Sequence, residues 1–269
     1  MFNRLFWNHH SDSPLILYKY LPQTIFSLRV LIQEAFWFSH YESLNDPAEF
    51  KCLLDKALEK DRRTLRSKDT EQEWTYNHAI DWLERSVVFS ASETPTNPVM
   101  WAHYASLHKG FAIGFVAGNL RTSVPKKYRH WLKVNYLNSP PVLTKSDIDE
   151  YEAANVSVED KRFAQYVPIE IRHDYHPILV KKFASKSEDW AYEREYRLTD
   201  RATDGAHGKA VKFLPGTVRQ IIFGKDCDLG FQNDIRLVTK GWGVKYFQVQ
   251  QSESNYEFDM KALGNHRPS

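Results

Sequence analysis

The ten residues from Trp190 to Thr199, WAYEREYRLT, decide how the rest of the chain is read. In a strand, side chains alternate, so Trp190, Tyr192, Tyr196 and Leu198 face a core while Glu193, Glu195 and Arg197 share the opposite face. In a helix, Glu193 and Arg197 form an i,i+4 surface pair worth only a few tenths of a kcal/mol. The aromatic alternation favours the strand. Two carboxylates then stand about 7 Å apart along one wall. Such a pair repels, raises the pKa of its members and divides roles such as acid/base work and charge stabilisation. Glu193 and Glu195 are therefore the candidate catalytic residues.

Short strands of the same character lie on both sides of this stretch. Upstream, Leu15 to Tyr20 (LILYKY) follows a Ser-Pro turn signal, and Phe36-Trp37-Phe38-Ser39 runs into the turn-rich SHYESLNDP. Between them Ile25, Leu28, Leu31, Ile32 and Ala35 recur at three- and four-residue steps, which predicts an amphipathic helix over 24–35. Val87 to Ser90 is the next strand. A helix from about Val99 to His108 follows, carrying Met100, Trp101, Tyr104 and Leu107 and ended by Gly110, and then the strand Phe111 to Phe115. Later come a helix over 178–186, the strand-like VKFLPG and RQIIFG, a helix from about 228 to 240 ended by Gly241, and a last strand, KYFQVQ.

Short strands around a few helices predict an α+β fold. Residues 49–86 read as helical, with a middle of mixed charge that suits a solvated face. The segment 119–175 holds the strand-like KVNYL, a Pro140-Pro141 break, an acidic helix candidate from Ser146 to Ala154 and a second over 158–166. The expected organisation is one domain over 1–269 with a charged helical insertion at about 50–86 and an irregular one at about 119–175.

Composition narrows the function classes. The 269 residues carry 36 Lys+Arg against 34 Asp+Glu, a formal net charge of +2, which argues against a globally basic nucleic-acid coat or an acidic tail protein. At 42% hydrophobic and 14% aromatic the chain can build a sizeable core. No apolar run reaches the roughly 20 residues of a membrane span, and MFNRLFWNHHSDSP lacks the apolar stretch of a secretion signal. Cys52 and Cys227 are too few for a disulfide framework or a thiolate zinc site. These features predict a cytoplasmic protein with no membrane partner. No P-loop, Rossmann, nucleophile-elbow or HExxH signature is present.

Other residues are candidates for binding. Tyr104 combines an apolar ring with a polar tip, suited both to a core and to stacking on a flat heterocycle. His103 and His108 lack zinc-ligand spacing, as does the pair His173 and His176, so no metal is expected. Asn45-Asp46-Pro47 caps a helix or meets a ligand. Lys19 sits between Tyr18 and Tyr20; on a buried face it needs an anionic partner, a phosphate or one of the glutamates.

Taken together, LYKY, FWFSHYESLNDPAEF, VVFSASETPTNPVMWAHYASLHKGFAIGF and KSEDWAYEREYRL resemble a bacterial family known as a domain of unknown function, with Asn-Asp-Pro, Trp-x-His-Tyr-Ala and Trp-x-Tyr-Glu-x-Glu-x-Arg segments, over about Leu17 to Gly224. More distantly, the order of elements resembles the ADP-ribosyltransferases of the poly-ADP-ribose polymerase and diphtheria-toxin type. That resemblance implies split mixed or antiparallel sheets, NAD as substrate, and an intracellular macromolecule, protein or nucleic acid, as acceptor, with toxin or phage-defence settings common. It implies that Glu195 engages the nicotinamide ribose and Glu193 activates the substrate. Tyr104 would stack on nicotinamide, with Lys19, Tyr20, Ser39, Asn45 and Ser90 completing the cofactor site. Lys19 stands where that superfamily has His or Arg, and Ser90-Ala91-Ser92 replaces its Ser-Thr-Ser triplet.

Two other classes compete. Arg121, Lys126, Lys127, Arg129 and Lys133, interleaved with Trp131 and Tyr136, would suit a non-catalytic module for single-stranded nucleic acid. Asp46, Glu49, Glu193 and Glu195 would suit a metal-dependent nuclease.

Overall fold

Alternating apolar runs become strands because β-branched and aromatic side chains fit a pleated, half-buried surface. The computed structural model describes residues 15–46, 48–54, 86–125, 131–147, 177–202, 207–214 and 216–264. Among them, ten strands join in one mainly antiparallel sheet. Its main path runs β11 (Gly208–Lys212), β2 (Ala35–His40), β4 (Ser86–Ser92), β1 (Ile16–Leu21), β5 (Phe111–Val116), β12 (Val218–Phe223), β13 (Lys245–Gln251) and β14 (Phe258–Leu263). β10 (Glu195–Arg201) pairs with β4, and β6 (Trp131–Lys133) with β10. Only β12 and β13 pair in parallel within this sheet. Two small parallel pairs lie beside it, β3 (Leu53–Leu54) with β8 (Val142–Leu143) and β7 (Asn135–Leu137) with β9 (Ser185–Ser187).

β4 is where the sheet divides. β10 covers one edge from Glu195↔Ser92 to Arg201↔Ser86. On the other edge β2 pairs only at Val87 and Val88, and β1 only at Ser92. The backbone between these contacts lacks a ladder partner on that side, and the Lys19 ammonium donates to the Ser90 carbonyl at 2.9 Å. Ser90 is half-buried there, and this contact gives its carbonyl a partner across the split.

Both sheet faces are covered. Leu17, Phe36, Phe89, Ile113, Phe115 and Leu198 form the main core, with Leu28 and Leu31 of α1 (Ile25–Ile32) and Ile235 of α5 (Leu229–Val238). Tyr20, Ala112, Ile222 and Val249 pack on the opposite face against Met100 and Trp101 of α2 (Pro98–Tyr104). Phe50, Val88, Leu132, Phe183 and Ala184 form a third cluster, which joins the end of α4 (Pro177–Phe183) to the sheet. The remaining helix, α3 (Ala117–Thr122), buries Leu120.

The α+β class agrees with the sequence reading, and several boundaries differ. The helix expected to reach Ala35 stops at Ile32, because Glu34 takes a positive φ of 51° and Ala35 already starts β2. The helix expected to reach His108 stops at Tyr104, and Ser106, Leu107 and His108 all have positive φ. Gly110 lies beyond that turn rather than at the helix end. In the stretch read as helical from residue 49, residues 48–50 are a turn, Leu53–Leu54 a strand, and 55–85 lie outside the described residues. The 178–186 helix gives way to β9 after Phe183. The 158–166 helix candidate lies outside the described residues. β14 had no counterpart in the sequence reading.

The largest correction concerns Trp190 to Thr199. Glu188–Glu193 is a 3-10 helix, Arg194 adopts a left-handed φ of 46°, and the strand begins at Glu195. Tertiary hydrogen bonds hold the turn: the Ser92 hydroxyl donates to the Glu193 carbonyl at 2.7 Å and the Asn97 amide to the Tyr192 carbonyl at 3.2 Å. Local alternation could not reveal these partners. Tyr196 and Leu198 do enter the main core, while Trp190 and Tyr192 do not reach it.

Candidate functional site

A cavity of about 250 Å³ opens where the sheet splits. Strand β1 supplies Tyr18, Lys19 and Tyr20 to its wall, and β4 supplies Ser90, Ala91 and Ser92. Met100 and Tyr104 enter from α2, Asn45 and Glu49 from the loop after β2, and Lys186, Glu193 and Glu195 from the segment that closes onto β4. Asn97 fixes α2 by accepting from the Val99 and Met100 N–H groups, and Pro98 occupies its first turn.

Tyr104 is tied down at its tip. The Asn45 amide donates to its hydroxyl at 2.6 Å, and that hydroxyl donates to Glu193 Oε1. Burial, together with the Glu193 hydrogen bond and charge, pushes the phenol pKa far above its ordinary value. The Lys186 ammonium lies 2.6 Å from Glu193 Oε2, 3.0 Å from Glu49 Oε1 and 3.6 Å from Glu195 Oε2. Burial alone would lower its pKa, but Glu195, Glu49 and Glu193 hold it above the ordinary value.

The two predicted carboxylates have opposite environments. Burial pushes Glu195 up, but the Arg197 guanidinium grips both its oxygens, at 2.8 and 2.9 Å, and with Lys186 and the Ser90 hydroxyl it holds the group well below the ordinary range. Arg197 is itself fully buried and also donates to Glu49 Oε1 and to the Phe183 carbonyl. The Glu195 N–H donates to the Tyr136 hydroxyl at 2.8 Å, which keeps the start of β10 in place. Burial and the adjacent Glu195 charge raise the Glu193 pKa, against the pull of Lys186 and Tyr104. The two carboxylates are thus shifted in opposite directions, Glu195 downward and Glu193 upward.

Lys19 contacts the Phe89 ring, with Nζ 5.0 Å from its centroid. Burial lowers its pKa, while the charges of Glu195 and Glu193 pull it back up. Lys19 is half-buried, and its ammonium donates to the Ser90 carbonyl rather than to a carboxylate.

Among the sequence candidates, Glu193, Glu195, Lys19, Tyr20, Asn45, Ser90 and Tyr104 all reach the cavity wall. Tyr20 is anchored as core, donating to the Thr94 carbonyl at 2.8 Å and packing edge-on against Trp101. Ser39 is not brought in: it pairs with Gly208 and Val88 along β2, away from the wall. Lys186 and the ion-pair role of Glu49 were missed, because residues 178–186 read as one helix and residue 49 as the start of another. Glu49 follows the Asn-Asp-Pro turn by two residues, and that turn was the one local signal present.

The competing constellations look different in three dimensions. Trp131 is buried and donates to the Ala117 carbonyl, and Tyr136 is bound to β10, so both aromatics serve the fold. Residues 126–130 of the basic segment lie outside the described residues. Lys186 and Arg197 pair with Glu49, Glu193 and Glu195 of the nuclease reading, while Asp46 Oδ1 accepts from the Ala48 N–H, and among the described residues no three His, Cys, Asp or Glu side chains are grouped to hold a metal ion. No helix of the described residues is long and apolar enough to cross a membrane.

No curated protein and no solved structure matches the chain. Residues 100–198, the span from Met100 of α2 to Leu198 of β10, match the model of a family described as Protein of unknown function (DUF2971), which supports reading the chain as a domain of unknown function.

Proposed function

We propose that the chain is an NAD-dependent ADP-ribosyltransferase, or an NAD glycohydrolase on the same scaffold, acting inside the cell on a protein or nucleic-acid acceptor. The sheet divided at β4 would then be a form of the split ADP-ribosyltransferase sheet. One observation carries the reading: Lys19, Ser90, Tyr104, Glu193 and Glu195, far apart in sequence, line a single cavity.

The chemistry suits that wall. When the bond between ribose C1 and the nicotinamide nitrogen breaks, nicotinamide leaves as a neutral base with the electron pair, and positive charge develops on the sugar. Glu195, kept ionised by Arg197, is a preorganised anion for that charge. Glu193, with its raised pKa, takes the proton that an attacking hydroxyl, amine or water must lose. Tyr104 and Met100 offer apolar surface for the leaving ring. At about 250 Å³ the cavity is below the ~300–1,000 Å³ of pockets that enclose a whole drug-sized ligand, so it takes the nicotinamide-ribose end and leaves the adenosine across the mouth.

The test is incubation of the purified chain with labelled NAD⁺ and cell extract, following label into protein, nucleic acid or free ADP-ribose. Wild type is expected to release nicotinamide, and Glu195→Gln to lower the rate by about 100-fold or more. Equal turnover by the two proteins would reject the mechanism.

A further inference from the structure

The cavity wall holds a cluster of charge that the proposed reaction uses only in part. Lys186, in the middle of β9, points its ammonium at three carboxylates: Glu193 Oε2 at 2.6 Å, Glu49 Oε1 at 3.0 Å and Glu195 Oε2 at 3.6 Å. The Lys186 side chain is 3% exposed, so protein groups rather than water must satisfy its charge. Its Nζ also lies 4.7 Å from the centre of the Trp190 ring, which closes one more side.

A buried ammonium must keep an anionic partner, because leaving it unpaired in the interior is strongly destabilising. Glu193 alone would serve poorly, since a carboxylate that takes a proton gives up the charge that held the ammonium. Glu49 and Glu195 remove that difficulty. Arg197 donates to both and so fixes their oxygens, and each lies a small displacement from Nζ. A lysine, with three rotatable donors on a flexible stem, can make that displacement. Tyr104, the other partner of Glu193, lacks this freedom, because its hydroxyl is held between Glu193 Oε1 and the Asn45 amide.

We propose that Lys186 is a positioning residue for Glu193: its ammonium binds the ionised carboxylate and passes to Glu49 and Glu195 when Glu193 takes a proton. The proton comes from the hydroxyl, amine or water that attacks the ribose, so the source of the proton rests on the NAD reading, while the exchange itself belongs to the free chain. No proton leaves Lys186, which its three carboxylates keep charged; only its partner changes. Glu193 is thereby neutralised without stranding a buried cation. The other titratable or charged groups that act on Glu193 are Lys19 of β1, Tyr104 of α2, Tyr136 of β7, the adjacent Tyr192, and Glu195 and Arg197 of β10. Of the cations, Lys19 donates to the Ser90 carbonyl and Arg197 to Glu195 and Glu49, whereas Lys186 donates to Glu193 itself.

Two measurements on the full chain need no ligand. Carboxyl carbon-13 NMR of glutamate-labelled protein, with the Glu193 signal identified by its loss in Glu193→Gln, gives the midpoint at which Glu193 takes a proton. Lys186→Gln is expected to move that midpoint up by about 1 pH unit or more, as removal of an adjacent opposite charge does, and Lys186→Arg to hold it near wild type. Crystals of wild type above and below the midpoint are expected to show Nζ on Glu193 in the first and displaced toward Glu49 and Glu195 in the second. An unmoved midpoint in Lys186→Gln, or an unmoved Nζ, overturns the proposal. If the Gln variant does not fold by circular dichroism, the wild-type crystals decide. In Lys186→Gln the low-pH limb of nicotinamide release should shift with the NMR midpoint while KM changes little, and a limb that stays put overturns the role in turnover. No nicotinamide release by wild type overturns the NAD reading and leaves the ammonium exchange to be decided by the NMR and the crystals.

Discussion

Tyr104 shows at the scale of one residue why a side chain can be picked out from sequence while its role cannot. Its position on a helix after a strand was legible, and so was its suitability for stacking. That its hydroxyl bridges Asn45 and Glu193 depends on a loop and a turn that local pattern does not place. The same bridge yields a prediction. The phenol hydrogen bond helps to lower the Glu193 pKa, so Tyr104→Phe leaves that carboxyl still further above its ordinary value of 4.5. In the pH–rate profile for nicotinamide release the limb that reports Glu193 should move to higher pH. kcat should fall by about tenfold, the scale of one hydrogen bond of about 1.4 kcal/mol, while KM changes little because the ring remains. An unshifted limb would separate Tyr104 from Glu193.

At the scale of elements, α2 is placed by the turn that follows it. Ser106, Leu107 and His108 have φ of 48°, 52° and 69°. Left-handed backbone costs non-glycine residues roughly 1–2 kcal/mol each, so packing must impose the turn. The contacts are close: a Cβ on Gly110 would lie 2.2 Å from the Leu21 carbonyl oxygen, and one on Gly224 would lie 2.0 Å from that of His108. Both glycines are required for backbone approach, and for Gly110 this replaces the helix-ending role that the sequence pattern suggested. Gly110→Ala is expected to cost at least about 2 kcal/mol, a fall in Tm of several degrees for a chain of this size. Because Gly110 packs on the end of β1, NAD⁺ turnover should drop as α2 shifts relative to Lys19. Melting curves and turnover measured on the same preparation check both effects, and an unchanged Tm would remove the packing argument.

On the scale of the molecule, the buried charges couple stability to pH in two directions. The Glu195 pKa is lowered by folding, so its contribution is present above about 4.5 and is lost as pH falls through the lowered value. The Glu193 pKa is raised, so its contribution is present below about 4.5 and is lost as pH rises through the raised value. Glu195→Gln should therefore lose most Tm against wild type near neutral pH, with the gap narrowing in acid. Glu193→Gln should gain on wild type as pH rises above about 4.5. Melting curves of the three proteins from about pH 3 to pH 8 test the opposition, and parallel profiles for the two variants would refute it.

The α+β class, most strand positions and several residues of the cavity wall followed from the sequence itself. Hydrophobic period, turn residues and chain order are local properties, and strands and helices obey them. Tertiary structure decided the rest: the division of the sheet at β4, the turn that separates Glu193 from Glu195, and the placement of Lys186 and Glu49 beside them. Each depends on a buried group finding a partner from a distant segment. That requirement is set by desolvation, which acts on a side chain only once the fold has enclosed it.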